Sequence, residues 1–116
     1  MALTGGDITV AYDDRGSGEP ALLFLPGWCA GRGAFDDLAA RMANRRTLAM
    51  DWRGHGGSAA ASGDFGTPEL VEDALAVIDA SGAVTIVPVA TAHAGWVAIE
   101  LRRRLGERIP KLVLVD

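Results

Sequence analysis

The chain has 116 residues, 49% of them hydrophobic and 22% charged, with a net charge of −4 and a single cysteine. That balance belongs to a folded globular chain, excludes a disordered, collagenous or disulfide-stapled one, and offers nucleic acid no electrostatic footprint. No apolar run nears the roughly 20 residues of a membrane helix, and MALTGGDITV lacks the basic start and apolar stretch of a secretory signal, so a cytoplasmic protein with neither membrane nor nucleic acid as partner is expected.

In chain order, Ile8, Val10 and Tyr12 alternate in DITVAYDD, which predicts a half-buried strand. RGSGEP is a turn, and ALLFL (21–25) is a continuous apolar run suited to a strand buried on both faces. A glycine-rich loop, PGWCAGRG, precedes AFDDLAARMA, where Phe35, Leu38, Ala39 and Met42 recur at helical spacing. TLAMD (47–51) returns to strand, and DWRGHGGSAAASGDFG is a long loop.

TPELVEDALAVIDASG predicts a helix marked at both ends: Thr67 at the N-cap, Pro68 at the first helical position, and Gly82 in the left-handed conformation that closes the last turn. Its buried stripe is Val71, Ala74, Leu75 and Ile78. VTIVPV (84–89) follows as a strand whose Pro88, having no N–H to donate, argues against its full length. The next helix runs from about His93 to Leu105, burying Val97, Ala98, Leu101 and Leu105, and KLVLV (111–115) is the last strand.

Strands alternating with helices predict an α/β chain with a largely parallel sheet and ligands gathered at the carboxyl ends of its strands. PGWCAGRG, DWRGHGGS and ATAHAGW each directly follow a strand, so they should meet on one edge and line a common pocket. A fold stopping on KLVLVD would leave an apolar strand as an uncovered edge. Residues 1–116 are therefore expected to be the N-terminal part of a single, larger core domain.

Two histidines, His55 and His93, without a cysteine pair give no recognised metal-ligand spacing, so no metal is expected. Arg102, Arg103, Arg104, Arg108 and Lys111 read as a solvated helix face. Gly54-x-Gly56-x-x-Ala59 mimics a dinucleotide fingerprint, but AAASGDFG interrupts the helix that should cradle a pyrophosphate. Cys29 has no adjacent base to activate its thiol and reads as a packed loop cysteine.

The order strand-PGW, strand-DWRGHGGS, strand-xxAHAGW resembles the α/β-hydrolase fold family over essentially the whole chain. In that family the strand-to-helix elbow presents a nucleophile, where Ala92 stands here. A methyl group cannot be deprotonated or attack, so serine-type hydrolysis at this elbow is excluded. The resemblance implies an oxyanion hole built from the backbone N–H groups of Trp28 and His93, which does not depend on the residue at 92.

LLFLPGWC, DWRGHGGS and HAGWVAIEL resemble, more narrowly, the cofactor-independent quinolone 2,4-dioxygenases within that fold, chiefly through Trp28-Cys29 and through His93-x-Gly95-Trp96 leading into a helix with Glu100. Those enzymes usually keep a serine at the place of Ala92 and a histidine at that of Thr91, and often a histidine at that of Ala30. Their serine is not a covalent nucleophile, so the proposed chemistry survives its loss. The resemblance implies a 3-hydroxy-4(1H)-quinolone and O2 as substrates, carbon monoxide and an N-acylanthranilate as products, and no metal, flavin or other cofactor. It implies a catalytic Asp116 paired with a histidine in a complementary C-terminal segment of the same protein, beside Trp28 and His93 in the hole. Trp28, Cys29, Ala92, His93 and Trp96 would line the substrate site.

Duller readings stay open: His55 as a structural hydrogen-bonding residue, Trp28 and Trp96 as core aromatics, Asp116 as a strand-end carboxylate. So do two other functions, a hydrolase whose serine was deliberately replaced by alanine and a non-catalytic hydrolase-fold binding protein.

Overall fold

The continuous apolar run ALLFL becomes the centre of the molecule, buried at all five positions. The computed structural model describes residues 1–61 and 63–115, so the carboxylate expected to act at Asp116 lies outside the described residues. The elements are β1 (Ala2–Leu3), β2 (Ala11–Arg15), β3 (Ala21–Leu25), a 3-10 turn (Arg32–Phe35), α1 (Asp36–Arg41), β4 (Thr47–Met50), α2 (Thr67–Ser81), β5 (Ile86–Thr91), a second 3-10 turn (Ala92–Ala94), α3 (Gly95–Leu105), a third 3-10 turn (Gly106–Arg108) and β6 (Val113–Val115). They form one sheet in the order β1-β2-β4-β3-β5-β6. The four strands β4, β3, β5 and β6 are parallel, and β2 and β1 add on antiparallel. This is the α/β architecture the alternation of strands and helices predicts.

Side chains alternate across a strand, and β3 shows what each face buries. Ala21, Leu23 and Leu25 join a core with Leu70, Val71, Ala74 and Ile78 of α2 and Val97, Ala98 and Leu101 of α3. Leu22 and Phe24 face the opposite side with Phe35, Ala39 and Val87. Phe24 and Phe35 stack there with centroids 4.8 Å apart.

The differences from expectation have local causes. β2 begins at Ala11 rather than near Ile8, because Val10 is tied into a loop with Thr4: its N–H donates to the Thr4 hydroxyl at 2.9 Å and its carbonyl accepts the Thr4 N–H at 3.0 Å. Before α1 the chain winds as a 3-10 turn, and Leu38 ends up exposed. The N-cap of α2 is Gly66 rather than Thr67, since the Gly66 N–H donates to the Glu69 carboxylate at 2.7 Å, which seats Pro68 at the second helical position. Gly82 takes the expected left-handed conformation (φ 73°), with its N–H reaching the Ile78 and Asp79 carbonyls at 3.2 Å. Leu75 and Leu105 are only half-buried, and Leu70 and Val77 complete the α2 stripe.

β5 runs through Pro88, which lies one residue before the stretch that pairs with β6, beginning at Val89. The basic cluster is largely a solvated face: Arg103 pairs with Glu100 and Arg104 with Glu72 at 2.9 Å, while Arg108 donates to the Val84 carbonyl at 2.9 Å. Such exposed pairs contribute little. No helix among the described residues is long and apolar enough to cross a membrane.

Candidate active site

The loop after β3 closes on itself through a turn in which the Ala30 N–H donates to the Gly27 carbonyl at 3.1 Å. Positive φ at the third position marks such a turn as type II-like rather than the commoner type I. Cys29 supplies it at 64° and is exposed, so it is not the packed cysteine expected.

After β5 the chain turns sharply from strand into α3, and Ala92 sits at the corner with φ 52°. A left-handed alanine costs about 1–2 kcal/mol, so the surroundings must hold it. They do: a side-chain carbon at Gly27 would lie 3.5 Å from both the Ala92 methyl and the Thr91 hydroxyl, so the Gly27 loop packs directly on the elbow. Among the described residues, the Trp28 N–H donates to no other loop or turn backbone group.

Trp28 is where the loops meet. Its ring, 55% exposed, stands edge-on to His93 at 5.7 Å and to His55 at 5.3 Å, and lies 5.9 Å from Phe65. The loops after β3, β4 and β5 thus converge, as their common position after strands implies. His55 has the structural bond expected of it: Nδ1 is 3.0 Å from the Arg53 carbonyl. A carbonyl only accepts, so Nδ1 is the donor in this bond.

Beneath the loops lies a buried ionic framework that charge spacing in the sequence did not reveal. The Asp51 carboxylate accepts the Arg32 N–H at 2.7 Å, the Gly57 N–H at 3.0 Å and the Arg32 guanidinium. Burial pushes its pKa up, but the bonds from Gly57 and Arg32 and the attraction of the guanidinium outweigh that and hold it below the ordinary carboxylate value. Arg32 Nε continues to Asp13 at 3.2 Å. Arg53 pairs bidentately with buried Asp73, its Nη2 at 2.7 Å, fastening the β4 loop to α2. The indole N–H of Trp52 donates to the Pro26 carbonyl at 2.8 Å.

Trp96 stands apart from this ring cluster. It is 67% exposed on the first turn of α3 and lines an open groove of about 300 Å³ with Ala92, Gly95, Ile99, Leu114 and Val115. Trp28, Cys29, Ala92 and His93 therefore come together at the loops, and Trp96 joins them only through Ala92. His55 and Phe65 are additional neighbours of Trp28. Position in a glycine loop after a strand could have flagged His55, whereas nothing in the spacing marks Phe65. Among the described residues no group of three or more His, Cys, Asp or Glu side chains gathers as metal ligands would, and no helix follows Gly56 before α2 to receive a dinucleotide.

Residues 20–116 match the family described as alpha/beta hydrolase fold. This chain belongs to the α/β-hydrolase fold family. Among individual α/β-hydrolase relatives it is 38% identical to a 2-heptyl-3-hydroxy-4-quinolone dioxygenase, AqdC2, of Rhodococcus erythropolis, over all of this chain and 44% of that protein. It is 37% identical to the 1H-3-hydroxy-4-oxoquinoline 2,4-dioxygenase of Pseudomonas putida, over 92% of this chain and 42% of the relative. A solved structure of AqdC, described as ring-cleaving the Pseudomonas quinolone signal and in complex with its product, superimposes with a TM-score of 0.92 at 34% identity, over 100% of this chain and 45% of that one. The chain thus spans less than half the length of the curated relatives it matches.

Proposed function

We propose that this α/β-hydrolase-fold chain is the N-terminal part of a cofactor-free dioxygenase that cleaves the heterocyclic ring of a 2-alkyl-3-hydroxy-4(1H)-quinolone with O2, releasing carbon monoxide and an N-acylanthranilate. The observation that carries the reading is Ala92: the elbow keeps its left-handed corner at φ 52° although the residue there has nothing to attack with. Such strain persists only where the surroundings impose it and clusters at functional sites. Its remaining use is to aim the next N–H, that of His93. Similarity to quinolone dioxygenases over the whole of this chain supports the same reading.

In this reading the base is a histidine of the C-terminal segment, oriented by Asp116, and it takes the proton of the substrate's 3-hydroxyl. The electron-rich anion reduces dioxygen, and a C2–O bond forms. The distal oxygen then adds to the C4 carbonyl, and the resulting alkoxide is stabilised by the N–H groups of Trp28 and His93. The O–O, C2–C3 and C3–C4 bonds break, C3 leaves with its own oxygen as carbon monoxide, and C2 and C4 become the acyl carbonyl and the carboxylate. The exposed Trp28 ring offers a flat surface for the bicyclic substrate, with Cys29, Ala92 and Trp96 completing the wall.

The complementary segment pairs along β6 and joins residues 1–116 into one core. Val113, Leu114 and Val115 are 41%, 56% and 46% exposed at the sheet edge, an apolar strand of the kind that seeks a partner. The proposed compartment is the cytoplasm, which suits a protein with one cysteine. Incubating the full-length protein in air with 2-alkyl-3-hydroxy-4(1H)-quinolones tests the reading. Mass spectrometry should find an N-acylanthranilate and gas analysis carbon monoxide, whereas no turnover at any alkyl length contradicts it.

A further inference from the structure

We propose that Trp52 and the Asp51–Arg32 pair are positioning residues that clamp the Trp28 loop at both ends, so that the end of β4, not the loop itself, sets where the Trp28 N–H sits. This rests on the reading above only for its kinetic consequence.

The loop has little to hold its own shape. From Pro26 through Gly33 it carries three glycines, and one internal backbone bond, from the Ala30 N–H to the Gly27 carbonyl, at 3.1 Å. Two consecutive residues at the end of β4 grip it from outside. Trp52 is wholly buried, and a buried indole N–H must find an acceptor. It takes the Pro26 carbonyl at 2.8 Å, two residues before Trp28. A phenylalanine would fill most of that space without holding the carbonyl, so the polar end of the side chain is what fixes the loop.

At the other end Asp51 holds the Arg32 N–H at 2.7 Å together with the guanidinium, which reaches on to Asp13 at 3.2 Å. Gly31 approaches so closely that a side-chain carbon there would lie 3.0 Å from the same carboxylate. The two grips bracket Trp28, whose N–H in the proposed hole must meet its target within a few tenths of an ångström to act.

The test uses full-length protein labelled with 5-fluorotryptophan, the Trp28 resonance being assigned by Trp28→Phe. Trp52→Phe should shift the fluorine resonance of Trp28 and lower kcat about tenfold, a fraction of the 10²–10³ that losing a hole donor costs, with KM within about twofold. Arg32→Ala should move both readouts in the same direction, and Arg32→Lys should restore part of each. Val77→Ala, which trims the core under α2, should lower Tm without moving either. An unmoved Trp28 resonance in Trp52→Phe and Arg32→Ala overturns the clamp, as does a Val77→Ala variant that reproduces the kcat loss at equal Tm. If Trp52→Phe does not fold, the Arg32 pair decides by the same criteria. A shifted resonance in a protein whose parent turns over no quinolone leaves the clamp standing and removes the dioxygenase reading instead.

Discussion

The indole of Trp28 meets the imidazole of His93 edge to face, with centroids 5.7 Å apart and planes at 75°, although the two residues lie in loops that follow different strands. Each is proposed to give the site both a backbone N–H and a ring, and the two contributions are separable. Trp28→Ala keeps the N–H and removes the aromatic surface, so KM should rise by roughly three- to tenfold, the worth of one aromatic contact, while kcat changes little. Trp28→Phe should recover most of the loss in steady-state kinetics. A Trp28→Ala variant that loses kcat with KM unchanged would assign the ring to the chemical step instead.

Ala92 separates the dioxygenase reading from the replaced-serine reading. Ala92→Ser returns a hydroxyl to the elbow, and we expect ester hydrolysis to stay at the background rate of the parent while quinolone turnover stays within a few fold. Appearance of esterase activity would favour a hydrolase whose serine had been replaced. In the same position Ala92→Val should cost about 1 kcal/mol beyond the alanine in chemical denaturation, because a β-branched residue resists φ 52° more than a methyl does.

Asp51 makes acid stability predictable. Its pKa is held below the ordinary value by Gly57 and Arg32 despite burial, so it lies below the unfolded value of about 3.9. A depressed carboxylate stabilises the fold fully above the unfolded pKa and loses that contribution as pH falls through the folded one. The difference in unfolding free energy between the parent and Asp51→Asn should therefore be constant from about pH 5 to 7 and shrink below about pH 4. A difference that already shrinks between pH 5 and 7 would show that another group controls it.

Gly56 tests how tightly the β4 loop wraps that carboxylate. Its φ is 49°, and an added side-chain carbon would fall 2.3 Å from Asp51 Oδ2. Gly56→Ala must therefore displace a buried carboxylate or the loop, and should cost about 3 kcal/mol. Gly5→Ala, with no heavy atom within 4 Å of the new carbon, should cost a few tenths at most. Equal Tm values for the two variants would contradict the packing described.

What could be read from the sequence follows from the range of each interaction. ALLFL announced a strand buried on both faces because burial on two sides leaves no polar alternation to mislead, and Gly82 announced its left-handed cap because that need is local. The start of β2 was not legible: Thr4 and Val10 settle it through a pair of bonds across six residues. Gly66, not Thr67, caps α2 because the Glu69 carboxylate already serves the N–H there. The meeting of the loops that carry Trp28, Ala92 and His93 was visible from their common place just after strands, whereas the roles proposed for these residues came from the family resemblance. The Asp51–Arg32 pair spans 19 residues and two loops, so no periodicity marks it. Phe65 reaches Trp28 only because the folded chain brings it there.

The fate of isotopic oxygen tests the central claim most directly. Full-length protein supplied with a 2-alkyl-3-hydroxy-4(1H)-quinolone under ¹⁸O2 should place one heavy oxygen on the acyl carbonyl and one on the carboxylate, leaving carbon monoxide unlabelled. Heavy oxygen in the carbon monoxide, or product oxygen drawn at the moment of cleavage from H2¹⁸O, would contradict it.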